Sequence, residues 1–130
     1  MFKRIDHVEI VPSNVEKALA FYDILGFKIK ERVKVSVPPM QEVIYLTLND
    51  TMLELISVTN PSSPSIEQWQ VGYKMMALEV ADMEKALSYL KSKGISPSWG
   101  PVNLGNSKRA EIKDPDGLSI ELRQWIEQSA

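Results

Sequence analysis

The chain has 130 residues, 44% of them hydrophobic and 25% charged, with a formal net charge of −2. That length fits one compact domain with an ordinary core, and the near-neutral balance leaves no electrostatic footprint for nucleic acid or an anionic membrane. The absence of cysteine excludes disulfides, thiolate nucleophiles and sulfur-ligated zinc, and no apolar run is long enough to span a bilayer.

Residues 4–11 alternate apolar and polar side chains and read as a strand. Pro12 ends it. Ser13 with Glu16 makes a capping-box pattern, so a helix should begin near residue 14. Val15, Ala18, Leu19 and Tyr22 fall on one face of it, and Gly26 stands where a C-terminal cap belongs. Strands follow at 27–34, 42–48 and 51–58, with Asn49-Asp50 as the turn between the last two.

Residues 59–65 are a linker by composition, and 66–71 a short helical turn bearing Trp69, within a connecting segment 59–72. A strand at 73–80 leads to Asp82, a good N-cap for a helix reaching about Lys93. Strands are expected at 95–99, 107–113 and 118–125. Asp114-Pro115-Asp116-Gly117 forms the turn before the last of them. The final residues, 126–130, should fray. No apolar leader follows Met1, so no signal peptide is expected and a cytoplasmic location is the simplest reading.

The chain also repeats itself. The segment Asn14 to Phe21 returns as Asp82 to Tyr89, and Gly26 returns as Gly94, at a constant offset of 68. Each half therefore reads strand–helix–strand–strand–strand, over residues 4–58 and 73–125. The fold class is α+β: tandem βαβββ units forming a curved eight-stranded mixed sheet, helices outside, around a concave cleft.

Strand alternation sorts side chains by face. Val8, Ile10, Leu53, Leu55, Ile120 and Leu122 belong to the helix side. His7, Glu9, Met52, Glu54, Met75, Glu79, Glu121 and Arg123 belong to the other. The offset pairs His7 with Met75, and Glu54 with Glu121 after a one-residue deletion. Convergence of an imidazole with two carboxylates would make a set suited to zinc, nickel, cobalt, manganese or iron. Trp125 shares that face by parity. Met52 and Met75 would give it an apolar wall.

Ile5-Asp6-His7-Val8-Glu9-Ile10, Val15 to Tyr22 with Leu25-Gly26-Phe27, Met52-Leu53-Glu54-Leu55, Ala77 to Asp82 and Asp114 to Glu121 together resemble the vicinal oxygen chelate superfamily. That group includes glyoxalase I, bleomycin-resistance proteins, extradiol dioxygenases and methylmalonyl-CoA epimerase. The resemblance implies that His7, Glu54 and Glu121 hold a divalent metal, and that Glu121 or Glu42 acts as the base. Met75 stands where the family usually has a histidine ligand.

A metal-dependent lyase or isomerase acting on a small carbonyl compound or thioester through an enediolate is the leading expectation. The alternative is a metal-free small-molecule binding protein of the bleomycin-resistance type, with Met52, Met75, Arg123 and Trp125 lining its cleft. A homodimer is implied in either case.

Overall fold

The computed structural model describes residues 1–65 and 67–127. Ten elements follow in chain order: β1 (Val8–Ile10), α1 (Val15–Ile24), β2 (Lys28–Lys34), β3 (Met40–Leu48), β4 (Thr51–Val58), β5 (Met76–Glu79), α2 (Met83–Ser92), β6 (Trp99–Asn103), β7 (Ser107–Lys113) and β8 (Ser119–Trp125). The fold class is α+β. The strands form two mixed sheets of four, ordered β1-β4-β3-β2 and β5-β8-β7-β6. They fall in two compact units, Met1–Ser63 and Pro64–Ala130. None of the described helices is long and apolar enough to cross a membrane.

The two sheets have the same internal wiring. In the first unit β1 runs parallel to β4, with Val8, Glu9 and Ile10 opposite Leu53, Glu54 and Leu55. In the second, β5 runs parallel to β8, with Met76, Ala77 and Leu78 opposite Ile120, Glu121 and Leu122. The remaining neighbours are antiparallel hairpin partners.

Helix ends repeat as well. Asn14 Oδ1 accepts from the Lys17 amide, and Asp82 Oδ1 from the Lys85 amide, each at 3.0 Å. The cap of α1 is thus Asn14 rather than Ser13. An asparagine one residue closer to the first turn reaches the third free N–H, as its aspartate counterpart does. At the far ends, Gly26 (φ 105°) and Gly94 (φ 82°) take left-handed conformations. Phe27 N–H then reaches back to Tyr22 O, and Ile95 N–H to Leu90 O, closing the same two-bond cap on both helices. Gln124 of β8 adds a tertiary cap by accepting the Met83 amide at 2.7 Å.

Each helix covers one face of its own sheet. Tyr22, Ile44, Leu46 and Leu55 are fully buried in the first unit. Met83, Ile112, Ile120 and Leu122 play that part in the second. Burial of these aliphatic and aromatic groups is the main stabilising term in each unit.

Four expected elements differ. The first strand, expected over residues 4–11, is confined to Val8–Ile10, the residues with partners on β4. The strand expected at 95–99 is instead β6, Trp99–Asn103. Ile95 is occupied in capping α2, and pairing with β7 begins only where Trp99 meets Glu111. β5 starts at Met76 rather than Tyr73, because Met76 is the first residue of its strand with a partner on β8. The turn expected over 66–71 includes Ile66, outside the described residues, and 67–71 form no helix. Of the frayed end expected at 126–130, residues 128–130 lie outside the described residues.

Candidate functional site

In the first unit, alternation places Glu9 and Glu54 on the face away from α1. They are directly opposite each other on parallel neighbours. His7 immediately precedes β1 and joins them. Its Nε2 lies 2.8 Å from Glu54 Oε2 and 3.1 Å from Glu9 Oε2. Its Nδ1 lies 2.8 Å from Asp6 Oδ2. Donor atoms of His7, Glu9 and Glu54 all lie within 4.8 Å of one another.

Glu54 is 9% exposed, which is unusual for a carboxylate. Tyr45, its cross-strand neighbour on β3, donates its phenol to it. The charge of Glu54 is the main reason the Tyr45 hydroxyl is pushed above its ordinary value of 10.0.

The proton affinity of His7 follows from this setting. The hydrogen bond to Asp6, then that to Glu9, raise its pKa above 6.5; partial burial opposes them and the charge of Glu54 adds to them. Asp6 is lowered in return, chiefly by its bond to His7. A group raised in the folded state stabilises that state fully below its unfolded pKa. The contribution is lost as pH rises through the higher folded value. His7 is the sole histidine, so a proton NMR titration of its ring in chelator-treated protein isolates this group. The midpoint is expected above 6.5, and a midpoint at or below 6.5 would show that the three acids do not surround the ring.

The second unit presents a different face. Glu121 on β8 has both oxygens engaged: Arg123 Nε donates to one at 2.9 Å, and Arg109 Nε lies 2.7 Å from the other. The Arg109 contact is ionic, since that N–H is not aimed well enough for a hydrogen bond. Arg109 also donates to Glu111 at 3.1 Å, and Arg123 to Ser107 at 3.1 Å. The two guanidinium groups stack on tryptophans, Arg109 over Trp99 and Arg123 over Trp125, each 5.1 Å from the ring centroid.

Glu42 is placed apart from His7. The Arg32 guanidinium forks onto both its oxygens, at 2.5 and 3.1 Å, and also reaches Glu16 on α1 at 3.2 Å. Glu42 therefore lies on the helix side of the first sheet, and the Arg32 hydrogen bonds hold its carboxyl below 4.5. Its parity agrees, because Glu42 alternates in step with the buried Ile44 and Leu46 of β3.

Met52 shares the His7 face of β4 and is half-buried. Met75, just ahead of β5, is also half-buried. Thus the structure unites His7 with Glu54 and adds Glu9, Asp6 and Tyr45. Alternation alone puts Glu9 beside His7, but the ligand set implied by resemblance has no place for it. Tyr45 has no such local signal, because its partner is set by the β3–β4 register.

Comparison with known proteins gives a consistent picture. The family model described as Glyoxalase/Bleomycin resistance protein/Dioxygenase superfamily matches residues 4–122. Human mitochondrial methylmalonyl-CoA epimerase is 31% identical over 134 residues, covering 93% of this chain and 73% of that protein. A lactoylglutathione lyase from Neisseria meningitidis serogroup B is 28% identical over 126 residues, covering 93% and 90%. The crystal structure of a glyoxalase family protein from Enterococcus faecalis superposes with a TM-score of 0.82 at 26% identity, covering 94% and 98%.

Proposed function

The chain belongs to the Glyoxalase/Bleomycin resistance protein/Dioxygenase superfamily, and from that premise we propose that it is a metal-dependent lyase or isomerase. Its substrate in this reading is a small carbonyl compound or thioester, processed through an enediolate. The observation that carries the reading is the setting of His7, whose Nε2 faces carboxylate oxygens at 2.8 and 3.1 Å.

The residues fit a divalent ion. An imidazole nitrogen and a carboxylate oxygen 2.8 Å apart are donors of the kind that would hold such an ion. Asp6 Oδ2 stands 2.8 Å from Nδ1, so with the ring proton held there the Nε2 lone pair would be left for the ion; a carboxylate behind a ligating histidine is a common support for such sites. His7 and Glu54 would hold the ion, which supplies a Lewis acid that polarises the carbonyl and stabilises negative charge as the adjacent proton leaves.

The chain's own groups do the rest. Tyr45 orients Glu54 through its hydroxyl. Of the two carboxylates the sequence offers as base, Glu42 is the poorer. The fork from Arg32 lowers its proton affinity and holds it on the helix side. Glu121 is the better candidate because it alternates with the buried Ile120 and Leu122 and so faces away from the helix side of its sheet. The homodimer implied by resemblance belongs to the same reading.

The test is elemental analysis of protein as isolated, followed by melting curves with manganese, cobalt, nickel or zinc. An ion at one hundred times its Kd adds about 2.7 kcal/mol, or a rise of roughly 10 °C for a chain of this size. A chelator should reverse it. Metal-free protein that none of the four ions stabilises would overturn the reading in favour of a metal-free binding protein.

A further inference from the structure

We propose that Glu9 is the third protein ligand of the ion, so that the metal centre is His7–Glu9–Glu54, built wholly from the first unit without Glu121. The inference rests on the metal-dependent reading above and specifies its site.

Three observations lead to it. Glu9 and Glu54 stand directly opposite on parallel strands, where like charges oppose folding. His7 Nε2 lies within 3.1 Å of both but carries at most one proton, so it cannot give each a full hydrogen bond. A divalent cation balances both negative charges at once.

The repeat points the same way. The β-sheet registers make Glu54 equivalent to Glu121, and Glu9 equivalent to Ala77. The offset makes His7 equivalent to Met75. The strand pair of the first unit thus carries three hard or borderline donors, where its counterpart retains only Glu121.

Glu121 is also committed elsewhere. Guanidinium nitrogens lie against both its oxygens, at 2.7 and 2.9 Å. Those arginines are fixed by Glu111, Ser107, Trp99 and Trp125. A cation on Glu121 would sit against two positive groups already in place. One imidazole and two carboxylates, with open positions for water and substrate, suit a first-row divalent ion such as manganese, iron, cobalt or zinc.

The experiment is calorimetric titration of the full chain with cobalt(II), with the visible cobalt spectrum as a second readout. Wild type is compared with Glu9→Gln, Glu9→His and Glu121→Gln, each checked for folding by circular dichroism. The Glu9 side chain is 55% exposed, so its replacements are expected to fold. Loss of a supporting residue costs up to about 100-fold in metal affinity, and loss of a ligand should reach or exceed that.

Glu9→Gln is therefore expected to weaken cobalt binding by about 100-fold or more. Glu9→His should retain binding with an altered spectrum, and Glu121→Gln should stay within about threefold of wild type. Wild-type affinity in Glu9→Gln with loss in Glu121→Gln would overturn the Glu9 assignment and leave the metal reading standing. Loss in both variants would overturn a centre confined to the first unit. Absence of cobalt binding by wild type would overturn both.

Discussion

His7→Ala is expected to abolish binding of divalent metal, and with it any metal-dependent turnover. His7 is the only imidazole in the chain, and its Nε2 is the one nitrogen donor between the Glu9 and Glu54 oxygens. Without it an ion held there would keep only carboxylates and lose the ligand that favours first-row metals over calcium or magnesium. The expected result is loss of the metal-dependent melting shift, together with at least about a 100-fold drop in affinity by calorimetry.

The effect on metal-free protein should be far smaller. Its contacts with the exposed Asp6 and Glu9 are screened by solvent, and the buried Glu54, on losing His7, keeps the Tyr45 hydroxyl as a hydrogen-bond donor. His7→Gln separates the two effects: it keeps a polar side chain that can hydrogen bond, but offers no imidazole to an ion. A variant that melts like metal-free wild type yet ignores added metal places the role of His7 in coordination. Unchanged affinity in both variants would remove the metal centre from this face.

Much of the fold is legible because it is encoded locally and then encoded again. Asn14 and Asp82, and Gly26 and Gly94, mark the same helix ends in both units. Strands whose partners lie one hairpin away, such as β4 and β7, fall where alternation puts them. β6 does not, although its partner β7 is also one hairpin away, because Ile95 donates its amide to the cap of α2 and register with β7 begins only at Trp99. Local pattern cannot tell a residue closing a helix from one opening a strand when both are apolar.

The site divides along the same line. His7 and Glu54 share a face by alternation alone, and the structure brings them within 2.8 Å. The partners of the remaining acids are not local. Arg32 reaches Glu42 across a hairpin, and Arg109 reaches Glu121 from the adjacent strand. Parity shows which acids share a sheet face, but which guanidinium neutralises which acid depends on side-chain reach and register. That is why Glu42 reads as a base in sequence and lies in a helix-side ion pair in the fold.

Tyr22→Ala is expected to cost about 3–5 kcal/mol, the usual range for truncating a large buried aromatic. Tyr22 has no exposed surface, and its ring meets Phe21 and Phe27 edge-on, with centroids 5.1 and 6.0 Å apart. Edge-on pairs add to what area burial alone provides. Its carbonyl also accepts the Phe27 amide that closes α1, although alanine would preserve that backbone bond. The repeat supplies a control: the counterpart of Tyr22 is Leu90, buried at the same place in α2 and accepting the Ile95 amide. Tyr22→Leu, the residue the second unit uses, should recover part of the loss by filling volume while giving up the ring contacts. Denaturant unfolding of the three proteins should therefore rank wild type above Tyr22→Leu and Tyr22→Leu above Tyr22→Ala. An equal loss in both variants would mean that the ring contacts and the phenol, rather than packed volume, set the cost at this position. A loss below about 1 kcal/mol in Tyr22→Ala would contradict its placement in the core.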